Sequence, residues 1–223
     1  MFSYQAVNKD EISCQECDRR IIEMTVTAIF LLSIPMTATT TKNLYTFEEY
    51  LQYDDPDNRY ELVNGRFEVM TPPTFLHILI CDLIRDVLKA EIDRLQLPLI
   101  ATRETGIRTG LNKSRIADLC VLSKEQVMNS LSEAGICSEP PVLAIEVVSQ
   151  ESIKRDYRYK RSEYAATGVG EYWIVDPIEQ QVTILVLDEG LYEESLFTDE
   201  QELISPTFAE TKLTPQQIFA IDV

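Results

Sequence analysis

Apolar and polar positions along the chain fall into blocks whose spacing changes. Thr46-Phe-Glu-Glu49 is a capping-box pattern and opens a short helix through Tyr53. Two β-prone runs, Tyr60–Val63 and Arg66–Met70, flank Asn64-Gly65, the pair that favours a type I′ hairpin turn. Leu76, Ile80, Ile84, Val87, Leu88 and Leu95 recur at the helical period and predict a long helix from Thr74 to about Leu95. Strands are expected at Leu99–Thr102 and Ile116–Leu122, and a short helix over Lys124–Leu131. Val142–Val148 is a continuous apolar run broken by one Glu, the pattern of a strand buried on both faces. Ile153–Ala166 reads as a helix closed by Gly168. Glu171–Val175 and Gln181–Leu187 are strands, an acidic β segment follows, and Thr214-Pro215 opens a last short helix. The order predicts an α/β (α+β) fold. It has a mixed central β-sheet flanked by helices, an N-terminal hairpin and a C-terminal antiparallel β extension.

Residues 1–42 lack this patterning and are expected to be a tail outside a domain spanning 43–223. Met36-Thr-Ala-Thr-Thr-Thr-Lys-Asn reads as an ordinary polar start, so translation is expected to begin at Met36, or less plausibly Met24. The apolar stretch Met24–Met36 is too short for a bilayer span, which needs about 20 residues. Its acidic, long leader makes a poor signal peptide. Five scattered cysteines in a chain with a full apolar core point to reduced thiols and a cytoplasmic location. Cys14-x-x-Cys17 has no second pair or nearby His to complete a zinc site.

Charge changes the functional picture in two steps. The chain holds 20 basic and 37 acidic residues, a net of −17, which argues against a polyanion-coating protein. The excess is uneven. Residues 1–35 carry −2, residues 36–161 only −3, and residues 162–223 carry −12. Bases cluster in the balanced middle: Lys154, Arg155, Arg158, Lys160 and Arg161, then Arg103, Arg108, Lys113 and Arg115. These can be solvated surface, or they can hold phosphates.

Two carboxylates stand where charge is costly. Asp118 interrupts Arg115-Ile-Ala-Asp-Leu-Cys-Val-Leu122, and Glu146 interrupts Pro141-Val-Leu-Ala-Ile-Glu-Val-Val148. Burying either costs several kcal/mol, of order, unless it is paired or holds a metal. Pairing with Arg115, or a frayed strand end, would also explain Asp118. Two carboxylates on adjacent strands suit a hard divalent cation, as metal-assisted phosphodiester hydrolysis requires. Lys160 shares a helix face with Ile153, Tyr157 and Tyr164, so it is expected to turn toward the sheet. There it could orient water and stabilise phosphoryl charge; an ion pair with Asp156 is the plainer alternative. Glu61 lies in the first hairpin strand. His77, the single histidine, opens the long helix and could contact a phosphate. One histidine builds no Ser/His/Asp or Cys/His triad, and no phosphate-binding glycine motif is present.

Tyr60-Glu-Leu-Val-Asn-Gly-Arg66, Ile116-Ala-Asp-Leu-Cys-Val121, Ile145-Glu-Val-Val-Ser149, Asp156…Lys160…Tyr164 and Gly168-Val-Gly-Glu-Tyr-Trp-Ile-Val-Asp-Pro177 together resemble the Uma-two family of bacterial endonucleases. The resemblance runs from about Leu44 to Asp222. It implies a restriction-endonuclease-like core of the PD-(D/E)xK superfamily and a Mg²⁺-dependent (or Mn²⁺-dependent) DNA endonuclease. Asp118 matches the motif Asp and Glu146 the motif Glu. The Val147 carbonyl would complete the metal site and Glu61 matches the upstream acid. Arg108, Arg115, Lys154, Arg155 and Arg158 are the candidate DNA contacts. Ala117 stands where the motif has Pro. Val148 stands where the motif has Lys, with Lys160 as the migrated lysine. A catalytically inactive nuclease-fold module that binds nucleic acid or a protein is the alternative. DNA, and a second copy of the chain in a homodimer, are the expected partners; a membrane is not.

Overall fold

A computed structural model describes residues 44–221. The expectations for the tail, the start residue and Cys14-x-x-Cys17 fall outside the described residues. Helix α1 is Phe47–Leu51, with the Thr46 capping box formed in both directions. Strands β1 (Tyr60–Val63) and β2 (Arg66–Val69) form the expected hairpin. Asn64 and Gly65 both have positive φ, 51° and 75°, as a type I′ turn requires. Helix α2 is Phe75–Leu95, capped by Thr74.

Strand β3 runs over Leu99–Gly110 and β4 over Lys113–Ser123, one long antiparallel hairpin. The expected strand at Leu99–Thr102 is thus much too short. Residues 103–110 alternate poorly because Glu104, at φ 53°, breaks the strand's period and Thr105, Gly106 and Ile107 are buried in succession; the outer edge of β3 meets the two-residue strand β5 (Ile136–Cys137). Helix α3 (Lys124–Asn129) links this hairpin to β5. Strand β6 is Leu143–Val147, buried at every position. After α4 (Arg161–Thr167) come β7 (Glu171–Asp176), β8 (Gln181–Asp188) and β9 (Leu191–Thr198), then α5 (Pro215–Phe219).

The sheet has nine strands among the described residues. Its main order is β2-β1-β4-β6-β7-β8-β9, with β3 and β5 branching from β4. The β6–β7 and β3–β5 pairs are parallel and the others antiparallel, so the sheet is mixed and β8–β9 form the antiparallel extension. Helix α2 packs Ile80, Ile84 and Leu88 on one face, against Leu119, Ile145 and Trp173. Tyr164 of α4 packs on the other face with Cys120, Ala144 and Tyr172.

The expected helix at Ile153–Ala166 forms with a different winding. Arg155–Lys160 is π-helical before α4 begins. The buried positions are Ser152, Asp156, Lys160 and Tyr164, four residues apart, while Ile153 is 40% exposed. Wider winding moves the inward face onto a four-residue repeat. Ile153 therefore leaves the face expected for it and Asp156 joins.

Candidate active site

The site fills a break in the edge of β4. Strand β1 meets that edge only at Ser114, and β6 meets it from Leu119 to Val121. Between them the backbone of Ile116 has no strand neighbour on that side. Its N–H donates to Glu61 Oε1 at 3.0 Å and its carbonyl accepts from Lys160 Nζ at 2.8 Å. Two charged side chains thus take over what a strand would have supplied, because buried backbone groups must be paired. Glu61 arrives from β1, and Lys160 from the end of the π-helical segment.

Around this point lies a buried charge network. Lys160 Nζ sits 2.8 Å from Glu146 Oε2 and 3.3 Å from Glu61 Oε1. Tyr164 donates its hydroxyl to Glu146 Oε1 at 2.7 Å. Arg115 donates from Nη1 to Glu61 at 2.9 Å, and from Nε and Nη2 to Glu163 at 2.8 and 2.9 Å. Burial alone would push the Lys160 ammonium down. The carboxylates of Glu146, Glu61 and Asp156 outweigh it, so its pKa is raised and it stays charged. Burial pushes Glu61 up, but Lys160 and Arg115 pull harder and bring it to about 2. Glu146 goes the other way: burial, with Asp118 and Asp156 nearby, raises it despite Lys160.

Asp118 sits where two strands lose their regularity together. Ala117 packs in one core cluster and Leu119 in the other, although residues two apart on a regular strand share a face. Opposite this point on β3, Glu104 has φ 53°. Asp118 Oδ2 accepts from the Val147 N–H at 2.7 Å, and Oδ1 lies 3.2 Å from His77 Nε2. Burial raises its carboxyl, but His77 and Lys160 hold it net below the usual range. Its side chain is 18% exposed, against 2% for Glu146 and Lys160. Within a strand, one residue's N–H and carbonyl face the same neighbour, so the Val147 carbonyl also faces the Asp118 side.

Lys160 therefore touches both Glu61 and Glu146, and Asp118 joins them through the Val147 N–H. Three further residues join the site: Asp156 and Tyr164, to which the sequence assigned no role at the site, and Glu163, which it did not single out. Asp156 is buried, and its Oδ1 has no hydrogen-bond partner; Arg155 Nε stands 3.7 Å away. Tyr164 anchors Glu146 and Glu163 anchors Arg115. The signal for the first two was the Asp156, Lys160, Tyr164 spacing of four. Four carboxylates, Glu61, Asp118, Glu146 and Asp156, surround one buried ammonium. An all-oxygen set with surplus negative charge and one unpartnered buried oxygen fits a hard divalent cation.

The expected phosphate contacts divide. Arg115 is corrected: it is 2% exposed, with its guanidinium committed to Glu61 and Glu163. A group turned inward for two carboxylates cannot meet a DNA backbone. Lys154 and Arg158 are exposed and lie over the Tyr159 ring, and Arg155, 35% exposed, stands beside Asp156. Arg108 lies over the Phe47 ring at 4.2 Å, with its side chain 30% exposed. Arg103, Lys113 and Arg161 are paired with Asp82, Glu163 and Glu194.

The sequence model of the Uma2 family, described as "Putative restriction endonuclease", matches residues 47–216. The chain belongs to this family. No curated protein matches this Uma2 chain. Among solved structures it is similar to a protein described as a putative nuclease belonging to DUF820, from Anabaena variabilis ATCC 29413. The two share 20% identity over 78% of this chain and 97% of the other, with a TM-score of 0.67. At that identity the likeness establishes the fold alone; with the family match it is the restriction-endonuclease-like α+β core that the resemblance implied. No helix among the described residues is long and apolar enough to cross a membrane.

The Glu61 network carries a pH signature. A carboxyl depressed on folding adds stability above its unfolded value, near 4.5, and loses it as pH falls through about 2. Glu61→Gln is expected to destabilise the protein at neutral pH and to flatten its stability profile over that acid window. Urea midpoints across the window measure it. Parallel profiles for variant and wild type would remove Glu61 from the network.

Proposed function

We propose that the protein is a metal-dependent endonuclease that hydrolyses phosphodiester bonds of DNA. The observation that carries this reading is Lys160 Nζ, placed between Glu146 and Glu61 from a helix although Val148 occupies the motif position. Lys160, the migrated lysine of the resemblance, thereby contacts Glu146, which matches the motif Glu. Asp118, Glu146 and the Val147 carbonyl would hold Mg²⁺, or Mn²⁺ in its place, with Asp156 as a further oxygen donor. Such an ion supplies Lewis-acid polarisation and a nucleophile at neutral pH.

The chain's own residues do the rest. Lys160 remains an ammonium, so it is no general base. It orients water and offsets charge on the phosphoryl oxygens. Glu61 and the Ile116 carbonyl hold the ammonium in place, and Tyr164 fixes the Glu146 rotamer. Arg155, beside Asp156, and the exposed Lys154 and Arg158 carry the DNA backbone, with Arg108 as an outlying contact. Free Cys81, Cys120 and Cys137 fit a cytoplasmic enzyme. A homodimer would set two centres on one duplex.

Burial of Glu146, with both oxygens already engaged, favours the rival reading of a nuclease fold that binds without cutting. Plasmid nicking separates them. Wild type is expected to nick supercoiled DNA with Mg²⁺ or Mn²⁺ and to stop with EDTA. Asp118→Asn and Glu146→Gln should both be silent. Equal nicking by all three proteins, or by none, would overturn the proposal.

A further inference from the structure

We propose that His77, Cys81 and Asp118 form a second, softer metal site: an open three-ligand centre for a divalent cation of the zinc class. His77 and Cys81 are four residues apart on α2, so their side chains lie on one helical face. The same spacing brings two ligands together in zinc-binding helices. Asp118 faces this pair because β4 breaks its alternation there, as the split of Ala117 and Leu119 between clusters records.

One donor atom from each residue, imidazole nitrogen, thiol sulfur and carboxylate oxygen, falls within 4.8 Å of the other two. The 3.2 Å between His77 Nε2 and Asp118 Oδ1 is already the edge of a tetrahedral site. Ligands about 2.0 Å from zinc stand roughly 3.3 Å apart. Cys81 is 1% exposed and closes the inner side, whereas His77 and Asp118 are each 18% exposed and leave the fourth position toward solvent. Three protein ligands with one open position is the pattern of a reactive zinc centre, and structural sites are closed instead.

Donor chemistry sets this centre apart from the oxygen site at Glu146. Thiolate and imidazole select Zn²⁺, Co²⁺ or Ni²⁺ over Mg²⁺. Binding exchanges the Cys81 thiol proton for a metal–sulfur bond and releases that proton to solvent. Asp118 is common to both centres, with its Oδ1 toward His77 and its Oδ2 toward Val147. The site shares that residue with the proposed nuclease centre but does not rest on that reading, because its readout needs no DNA.

The test is titration of the full-length, reduced protein with Co²⁺. One equivalent should bind with a near-ultraviolet sulfur-to-cobalt charge-transfer band, displaced by Zn²⁺ and not by excess Mg²⁺. Cys81→Ser should lose the band and keep the wild-type fold by circular dichroism; Cys81→Ala serves if the serine variant does not fold. His77→Ala should weaken Co²⁺ binding by at least ~10-fold. Cys14→Ser/Cys17→Ser should keep the band, which separates this site from the tail cysteines. Glu146→Gln should keep it too, which separates this centre from the nuclease site. No band in wild type, an unchanged band in Cys81→Ser, or displacement by Mg²⁺ would overturn the proposal.

Discussion

Lys160→Met is expected to cut metal-dependent DNA cleavage by at least ~100-fold, the loss seen when one preorganised charge partner of a transition state is removed. Methionine fills nearly the same volume, so the change removes charge rather than packing. Without the ammonium, Glu146 keeps Tyr164 and Glu61 keeps Arg115, but the two carboxylates then face each other across a dry gap. Breaking a buried pair costs roughly 3–5 kcal/mol. In a domain of this size that lowers Tm by roughly 10 °C. The chemical effect must therefore be read well below the melting transition of the variant, in single-turnover nicking. Lys160→Arg keeps the charge but must fit a larger head group into a fully buried slot. It is expected to lose less stability than Lys160→Met and still cleave poorly, since the head group is displaced. Cleavage by Lys160→Met within a factor of a few of wild type would leave Lys160 a purely structural residue.

Much of this arrangement was legible in the residues, and the misses share one physical cause. Asp118 and Glu146 stood out because each is a lone charge in an apolar strand, a costly choice that signals use. Lys160 stood out because it lies on an inward stripe. The hairpin at Asn64-Gly65 and the helix end at Gly168 were readable because only certain residues tolerate positive φ there. What stayed hidden depends on departures from regular periods. The π-helical winding of Arg155–Lys160 put Asp156 inside, and a 3.6-residue template places Ile153 there instead. The break at Asp118 turned it toward α2, which no alternation rule anticipates. Arg115 was misassigned because a basic residue beside an acidic motif looks the same in sequence whether it faces a phosphate or a buried carboxylate. Strand pairing decided the matter, since Arg115 follows the one β1–β4 bridge at Ser114 and so meets Glu61 of β1.

Burial and pairing divide the basic residues. Of nine near the motif strands, Arg115 and Lys160 are buried within the site and Arg103, Lys113 and Arg161 are paired with acids. The four left are Arg108, which lies over the Phe47 ring and 3.6 Å from Glu48, and Lys154, Arg155 and Arg158. If these few bases carry the proposed DNA contacts, a chain of net charge −17 is expected to bind DNA weakly and with a shallow salt dependence.

Arg115→Met gives the sharpest contrast between the two accounts of that residue. If Arg115 held phosphate, its loss would leave folding untouched, weaken DNA binding and reduce the salt slope by about one. Its burial predicts the reverse. The guanidinium bridges Glu61 and Glu163 with three hydrogen bonds, and removing it takes a charged partner from each carboxylate. Glu61 retains Lys160 and the Ile116 N–H, and Glu163 retains Lys113 and Thr109, so the loss is partial. The expected cost is roughly 3–5 kcal/mol, a large share of the about 5–15 kcal/mol that holds a domain folded. Urea denaturation measures it. Glu61→Gln in the same background should recover part of the loss, because a neutral side chain needs no counter-charge, and the double-mutant cycle gives the coupling. A loss below ~1 kcal/mol, with no coupling to Glu61, would show that Arg115 does not hold the carboxylates that frame Lys160.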